Sequence, residues 1–161
     1  MDDERKNQIS RSVYETLCAV LEREELRFDR YDDEMRTSLR FSGGENLPLR
    51  VVISVRPRTM VIKYKVFLEF SVPENKRVEM ATAVCVASYG LQIGAFEFDI
   101  SDGELGYRLA MPFGEKPVDE DQIIRMLWMA TGTTNGYSDK MFMLSKGLMT
   151  LSDFIEKENQ N

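Results

Sequence analysis

The sequence predicts an α+β fold in which an antiparallel sheet of five to six strands is packed by helices on one face. Two observations predict the sheet: apolar and polar residues alternate along several short runs, and the apolar positions of each run fall on one side. A third observation predicts the helices, because apolar residues recur every three or four positions in three other segments. The predicted order of elements is α-β-β-β-β-α-β-β-α.

The first predicted helix covers about Gln8–Glu25. Ile9, Val13, Leu17 and Leu21 lie on one face of it, and charged residues fill the opposite face. Four alternating runs follow this helix and are predicted to be strands. They are Leu26–Tyr31, Met35–Phe41, Leu49–Val55 and Met60–Phe70.

Turn and loop residues separate these four strands. Asp32-Asp33 predicts a turn, and Ser42–Asn46 predicts a loop. Pairing Val55 with Met60 across the Pro57-Arg58 break would align the apolar faces of the third and fourth strands.

A middle helix is predicted over about Val72–Tyr89. Ser71 and Glu74 have the spacing of a capping box, in which each side chain bonds the backbone amide of the other residue. The helix is apolar nearly all round, so we expect it to be the most buried helix. Gly90 is the predicted stop.

A β-hairpin is predicted over Gly94–Pro112. Asp102-Gly103 is the composition of a two-residue type I′ turn. That turn would place Ile100 opposite Leu105, and the same register sets the remaining pairs. They are Phe98 with Tyr107, Phe96 with Leu109, and Glu97 with Arg108.

The C-terminal part predicts helix. Asp119 and Gln122 form a capping signal, and apolar residues then recur in phase from Ile123 to Leu148. The glycine-containing stretch Gly132–Gly136 has poor helix propensity. Two interpretations stay open: one long helix that is weak there, or two helices joined by a turn. A short helix around Ser152–Lys157 follows.

The hairpin residues resemble the signature of the YbjN-like bacterial family, whose members resemble type III secretion chaperones in fold. The resemblance rests on Gly94–Arg108, with supporting matches at Ser71-Val72-Pro73, Asp119–Trp128 and Tyr137. It covers roughly residues 12–148. The family often has asparagine in the turn before the hairpin, where this chain has Ala87–Gly90. The resemblance implies an α+β sandwich and a binding or regulatory role.

Length and composition suggest a single cytoplasmic domain. The chain has 161 residues, and we expect residues 1–161 to form one YbjN-like domain with an ordered core over about 8–150 and polar termini. The N-terminal residues are almost wholly polar, and no apolar run approaches the ~20 residues of a membrane span. We therefore expect a cytoplasmic protein with no signal peptide and no membrane contact.

Residue usage argues against an enzyme. The sequence has no histidine, which removes the commonest general base and zinc ligand. It also lacks the glycine-rich phosphate-binding motifs and the nucleophile-elbow motif. We therefore expect no catalytic residue, no cofactor and no metal. Cys18 and Cys85 lie in apolar helical patterns and are predicted to be core side chains.

Charge is unevenly distributed along the chain. The net charge is −6, which argues against nucleic-acid binding, yet residues 35–66 carry +6 and the remainder −12. Six basic residues of that segment alternate with the apolar strand positions and should share the solvent face of the sheet. They are Arg36, Arg40, Arg50, Arg56, Lys63 and Lys65. Such a face is either an ordinary solvated surface or a docking surface for an acidic partner or phosphate.

The C-terminal region is rich in methionine, with Met126, Met129, Met141, Met143 and Met149. Met-lined surfaces serve adaptable binding, so Met126 and Met141 are candidate partner-binding residues. Core filling is the alternative interpretation. The spacing by four and three also allows a helix–helix seam between two subunits, and hence a homodimer.

The leading hypothesis is a non-enzymatic protein-binding module, chaperone-like or regulatory, with an unknown protein partner. It rests on the resemblance, the missing catalytic residues and the two candidate surfaces. The alternative is a small-ligand or phosphate-binding protein that uses the basic strand face. A deep pocket where Glu97, Tyr107 and Arg108 converge would favour that alternative.

Overall fold

The structure is a computed structural model that describes residues 1–42 and 46–160. Gly43, Gly44 and Glu45 of the predicted Ser42–Asn46 loop lie outside the described residues. The described α-helices are α1 (Asp3–Arg23), α2 (Arg77–Tyr89), α3 (Glu120–Ser145) and α4 (Leu151–Asn159). The described strands are β1 (Asp29–Tyr31), β2 (Arg36–Phe41), β3 (Leu49–Arg56), β4 (Val61–Ser71), β5 (Ala95–Phe98) and β6 (Glu104–Pro112).

The described strands form one six-stranded antiparallel sheet in the order β1-β2-β3-β4-β6-β5. The core lies between one face of this sheet and the helices, and it contains Val51, Ile53, Ile62, Tyr64 and Leu109. The other face carries the polar positions of the same strands. The predicted α+β class and element order are therefore confirmed, and α4 follows where the short C-terminal helix around Ser152–Lys157 was predicted.

The first helix begins earlier than predicted, at Asp3 instead of Gln8. Asp2 caps it by accepting a hydrogen bond from the Arg5 amide at 2.7 Å. The strand after it is shorter than predicted, because β1 contains only the last three residues of the Leu26–Tyr31 run. The capping residue sets the start of α1, and pairing with β2 sets the length of the edge strand β1. The periodicity of apolar residues does not indicate either boundary.

The predicted pairing of Val55 with Met60 is wrong. Val55 lies opposite Ile62, and Met60 has a φ of 52° at the end of a four-residue turn. A tight type I′ turn needs positive φ at both central residues, whereas Pro57 holds its φ near −65°. The longer turn shifts the register by two residues. Since side chains alternate with period two, an even shift leaves every face assignment intact.

The hairpin register also differs from the prediction by two residues. Phe96 lies opposite Tyr107, and Phe98 lies opposite Leu105. Gly103 has a φ of 83°, whereas Asp102 is not among the residues with positive φ, so a type I′ turn does not form. The connection is wider because the Asp99 carboxylate accepts hydrogen bonds from the Ser101 amide and hydroxyl. Phe96 and Tyr107 remain in the core, as the even shift requires.

The predicted capping box at Ser71 is wrong. Ser71 ends β4, and its hydroxyl donates to the Asp102 carbonyl oxygen at 2.9 Å instead of capping a helix. A 3-10 turn, Glu74–Lys76, then leads into α2. Because Ser71 bonds the hairpin loop, it joins the end of one strand to the neighbouring turn.

The middle helix is not the most buried one. The side chains of Val78 and Tyr89 are 74% and 95% exposed, and buried residues of α2 are confined to one face. Cys85 is exposed, so its predicted core position is wrong, whereas Cys18 is buried as predicted. The sequence pattern showed apolar residues all round this helix, but only one side of it meets the sheet and the other helices.

The C-terminal helix is continuous through Gly132–Gly136, which decides between the two open interpretations. It begins as predicted, because the Asp119 carboxylate accepts from the amides of Asp121 and Gln122 at 2.9 and 3.4 Å. The short helix that follows, α4, begins with a capping box between Thr150 and Asp153. The free energy gained by burying residues of α3 before and after the two glycines compensates for their low helix propensity.

Replacing each of these helix glycines by alanine is expected to stabilise the fold. A Cβ added at Gly132 or at Gly136 would meet nothing within 4 Å, and neither residue has positive φ. We expect Gly132→Ala and Gly136→Ala each to raise the free energy of unfolding by about 0.5–1 kcal/mol. Urea unfolding checks this, with Gly114→Ala in a loop as the comparison. A loss of stability would contradict the continuous helix.

Candidate partner-binding surface

The six predicted basic residues lie together on the face of the sheet opposite the core, which none of the described helices covers. This surface, the basic face, contains Arg36, Arg40, Arg50, Arg56, Lys63 and Lys65. The pairing of the strands brings these residues side by side. Arg40 lies opposite Arg50, and both Arg36 and Lys63 lie opposite Ser54. Their neighbours along each strand are buried on the opposite face. The alternation in the sequence therefore located this set of residues correctly on one surface.

Phe67 lies within the basic face and organises two of its cations. The Arg50 guanidinium carbon lies 3.9 Å from the centroid of the Phe67 ring, and the Lys65 ammonium lies 4.6 Å from it. Contacts of this kind hold a cation at the surface without neutralising its charge. The centre of the face is thus a positively charged region built on one aromatic ring.

Acidic side chains neutralise three of the six basic residues. Arg36 pairs with Glu34 at 2.9 Å, and Arg40 pairs with Glu69 at 2.7 Å. Lys65 pairs with Glu104 at 3.2 Å and with Glu97 at 3.6 Å. The hydrogen bond from Arg36 lowers the pKa of the Glu34 carboxyl below its ordinary value.

The other three basic residues are uncompensated in the sense that they form no ion pair, although the charge of Arg56 helps Arg36 to lower the pKa of the Glu34 carboxyl. Within residues 1–42 and 46–160, Arg50, Arg56 and Lys63 form no ion pair. Arg50 and Lys63 are half-buried, and Arg56 is exposed. Arg56 and Lys63 are diagonal neighbours, because Arg56 pairs with Val61 and Lys63 pairs with Ser54. These three residues give the face its net positive charge.

Met126 and Met141 are core residues and do not belong to a surface. Their side chains are 6% and 0% exposed, so proposing them as partner-binding residues was wrong. Both belong to the buried residues of α3 and to the hydrophobic core, so core filling accounts for them. Met129 and Met143 are the exposed methionines of the same helix. Spacing by three and four cannot tell a core stripe from a surface stripe.

Glu97, Tyr107 and Arg108 do not converge on a pocket. Tyr107 is fully buried on the core side, where its hydroxyl donates to the Ile93 carbonyl oxygen at 2.6 Å. Arg108 points to the open face and pairs there with Glu97. Burial raises the pKa of the Tyr107 hydroxyl. The arrangement favours a structural role for these three side chains.

Residues 1–42 and 46–160 contain neither a candidate metal site nor a membrane-spanning helix. That part of the chain contains no group of three or more cysteine or acidic side chains that could hold a metal ion. No helix in it is both long and apolar enough to cross a bilayer. Its two cysteines are free thiols, one buried at Cys18 and one exposed at Cys85.

One surface residue that the sequence analysis did not select is Trp128. It is 44% exposed on α3, and its ring meets Phe41 edge to face with centroids 5.9 Å apart. A signal was available, because Trp128 lies beside the apolar stripe of Leu127 and Ala130 and not within it. A large aromatic residue beside such a stripe is a candidate for a partly exposed position.

Comparison with solved structures shows a shared fold. The chain is similar to "YbjN, a putative transcription regulator from E. coli", with a TM-score of 0.59, 11% identity, and coverage of 76% of this chain and 85% of that chain. It is also similar to a chain of the ExsC-ExsE complex, with a TM-score of 0.54, 12% identity, and coverage of 80% and 92%. These structures support the chaperone-like α+β fold that the resemblance implied.

Comparison by sequence gives the family. No curated protein matches the chain. Residues 14–143 match the family model YbjN, described as "Putative bacterial sensory transduction regulator". This match spans most of the sequence and includes every described strand, the whole of α2 and most of α3. The protein therefore belongs to the YbjN family.

Proposed function

We propose that this protein is a non-enzymatic binding module, chaperone-like or regulatory, that docks an acidic segment of a partner protein on its basic face. The observation that carries the proposal is the set of uncompensated cations, Arg50, Arg56 and Lys63, on an uncovered sheet face. A sheet face presents these charges along neighbouring strands, a spacing that suits an extended peptide.

The charge distribution makes this face selective. The whole chain carries −6, so most of its surface repels an acidic segment, while the basic face attracts it. Electrostatic complementarity of this kind orients the encounter and rejects wrong partners more than it raises affinity. An acidic partner would therefore reach one defined surface.

The family and its structural neighbours support a binding role. The family description names a regulator of sensory transduction. One structural neighbour, ExsC, was solved in a complex with ExsE. A module that works by binding another protein agrees with both, and with a sequence that has no histidine.

Binding of a small anion is the alternative use of the same face. Arg56 and Lys63 are diagonal neighbours on adjacent strands, a separation across which long side chains can reach one phosphate. The face favours an extended partner, because its cations are spread over several rows of the sheet and are not gathered around one enclosed cavity. Competition by inorganic phosphate distinguishes the two uses.

Reversing the three uncompensated charges is expected to weaken the binding of an acidic partner. Arg50→Glu, Arg56→Glu and Lys63→Glu, combined, should weaken binding at least about tenfold, because attraction becomes repulsion. The measurement is fluorescence anisotropy with a labelled peptide of alternating glutamate and serine. It is accompanied by capture of proteins from bacterial lysate on the immobilised full chain.

The matched control reverses three exposed basic residues elsewhere, Arg27, Lys116 and Arg125. Both variants change the net charge equally, so only the location of the change differs. The control should bind as the unmodified protein does, and circular dichroism should show both variants folded. Equal binding by the two variants would refute docking on the basic face, and full competition by phosphate would favour the anion alternative.

A further inference from the structure

The C-terminal helix α4 packs against α2 and α3. The surface that it covers, the α4 groove, includes Cys85 and Val86 of α2 and Tyr137 and Lys140 of α3. The family match over residues 14–143 includes α2 and most of α3, whereas α4 lies outside it. The groove therefore belongs to the matched region, and the helix that fills it does not.

One aromatic side chain anchors α4 in this groove. Among Leu151–Asn159, all of which the structure describes, Phe154 alone is buried, and its exposed fraction is 0%. The Lys140 ammonium lies 5.7 Å from the centroid of the Phe154 ring and 4.5 Å from that of Tyr137. The groove thus holds a ring beside a cation that also contacts a second ring, a favourable electrostatic arrangement.

One carboxylate completes the attachment. A carboxylate oxygen of Glu158 accepts a hydrogen bond from the Tyr137 hydroxyl at 2.8 Å, and the other oxygen pairs with Lys140. Phe154 and Glu158 are four residues apart, so they lie on one face of α4, one turn from each other. The groove therefore recognises a helix by an aromatic ring and by a carboxylate that follows it after one turn.

Few interactions hold α4 compared with the other helices. It contains nine residues, and helices shorter than about 12–15 residues are marginal in water without tertiary packing. A turn at Gly147, whose φ is 70°, connects it to α3. Segments with few buried apolar contacts open at a lower free energy than the whole fold does. We therefore expect α4 to leave the groove while α2 and α3 stay folded.

An empty groove would be costly. The apolar seat of Phe154 would meet water, and Lys140 would lose the carboxylate that neutralises it. A helix that supplies the same two groups removes both costs. The requirements that α4 satisfies therefore specify the chemistry of any other occupant.

A partner helix can also bury surface that α4 leaves open. A cavity of about 400 Å³ remains beside α4, lined by Cys85, Val86 and Tyr89 of α2 and by Ile155 of α4. A segment of the same chain competes at an effective concentration that is roughly millimolar for short linkers. Additional apolar contacts in this cavity give an incoming helix the affinity that it needs to displace α4.

We propose that the α4 groove is a docking site for an amphipathic helix of a partner protein, and that α4 occupies it until the partner binds. The partner helix carries an aromatic residue and, four residues later, a carboxylate, as α4 does at Phe154 and Glu158. It displaces α4 and lies in the groove in its place. This site is separate from the basic face and goes beyond the function proposed above.

Hydrogen exchange on the full chain tests whether α4 opens by itself. We expect interior amides of α4 to exchange at least about tenfold faster than those of α2 and α3. Phe154→Ala should accelerate exchange in α4 further. Glu156→Ala, at an exposed position of the same helix, is the matched control and should not. If α4 exchanges at the rate of α2 and α3, it opens only when the whole fold unfolds, and the proposal is overturned.

A labelled peptide of residues 148–160 tests the groove by fluorescence anisotropy. We expect it to bind the Phe154→Ala chain at least about tenfold more tightly than the unmodified or Glu156→Ala chain, because the resident α4 competes there. A peptide that itself carries Phe154→Ala should not bind. Circular dichroism should show all the chains folded. Equal binding to the three chains, or to none, would contradict docking in the groove.

A charge exchange locates the binding at Lys140. The Phe154→Ala chain that also carries Lys140→Glu should lose the natural peptide. The peptide with Glu158→Lys should restore binding to this chain, because the two charges again have opposite sign. Restored binding cannot come from a chain that failed to fold. If the exchanged peptide binds no better than the natural one, the assignment of the carboxylate is wrong.

A helix of unrelated sequence tests the recognition of a partner. An alanine–glutamine helix carries one phenylalanine and, four residues later, glutamate, and the control helix has lysine in place of the glutamate. We expect the Phe154→Ala chain to bind the glutamate helix about tenfold more tightly than the lysine helix. If neither helix binds, the groove accepts only α4, and partner docking is refuted.

The basic face needs its own control, because the peptide of residues 148–160 is acidic. Arg50→Glu, Arg56→Glu and Lys63→Glu, added together to the Phe154→Ala chain, should leave its binding unchanged. If this reversal removes the binding, the peptide docks on the basic face. The groove proposal would then be wrong, while docking of acidic segments on the basic face would stand.

Discussion

Gly103→Ala is expected to lower the free energy of unfolding by about 3 kcal/mol. Gly103 has a φ of 83°, and a side chain in this left-handed region costs about 1–2 kcal/mol. A Cβ there would also overlap the Val72 carbonyl oxygen and lie 2.9 Å from Ser71 Oγ. Because backbone cannot yield as a flexible side chain can, the hairpin loop must move away from the end of β4.

That movement would break a specific connection in the fold. The Val72 amide donates to the Gly103 carbonyl oxygen at 3.0 Å, and the Ser71 hydroxyl donates to the Asp102 carbonyl oxygen. Urea unfolding is the measurement, and Gly114→Ala is the control, since a Cβ at Gly114 meets nothing within 4 Å. Equal stability of the two variants would show that the turn tolerates a side chain and that its geometry is different.

Lys140→Ala is expected to lower the free energy of unfolding by about 2–3 kcal/mol. Lys140 on α3 pairs with Glu158 on α4, whose side chain is 10% exposed. Removing one partner of a fully buried ion pair costs about 3–5 kcal/mol, and the partial exposure of Lys140 reduces this. The Tyr137 hydroxyl donates to Glu158 at 2.8 Å but cannot neutralise it. Burial, together with Glu158, raises the pKa of Tyr137 to about 12, so it remains a donor at neutral pH.

A second substitution identifies the stranded charge as the cause. Glu158→Gln in the Lys140→Ala background removes the charge and keeps an acceptor for Tyr137. We expect it to recover about half of the lost stability, and a double-mutant cycle by urea unfolding gives the coupling. If the double variant is less stable than Lys140→Ala alone, the loss comes from the packing of the Lys140 stem over Tyr137 and not from the charge.

The candidate site was only partly predictable from the sequence. The six basic residues were assigned to one face correctly, because strand side chains alternate locally and the pattern needs no knowledge of neighbours. Which of them keep a free charge was not predictable, since Glu69 and Glu104 reach Arg40 and Lys65 through the arrangement of the strands. The partly exposed position of Trp128 was missed for the same reason, because it depends on how α3 meets Phe41 of β2, a distant part of the chain.

The two methionines show that the spacing of residues in a helix does not predict their burial. Met126 and Met141 have the spacing of a helix stripe, and that spacing fits a surface seam as well as a core. Burial depends on what packs against the helix, and only the positions of the sheet and of the other helices around α3 supply that information. The prediction that α2 would be the most buried helix was wrong for the same reason. Composition indicates how apolar a helix is but not how much of its surface other elements cover.

The sequence alone therefore determined the element order, the faces of the strands and the family resemblance. These properties depend on local alternation, helical periodicity and turn residues, which act over a few positions. Tertiary structure decided the two strand registers, the continuity of α3 through Gly132–Gly136 and the burial of Met126 and Met141. Those outcomes depend on packing between residues that are far apart in the chain. The free energy of this packing outweighs a local turn preference or the low helix propensity of a glycine.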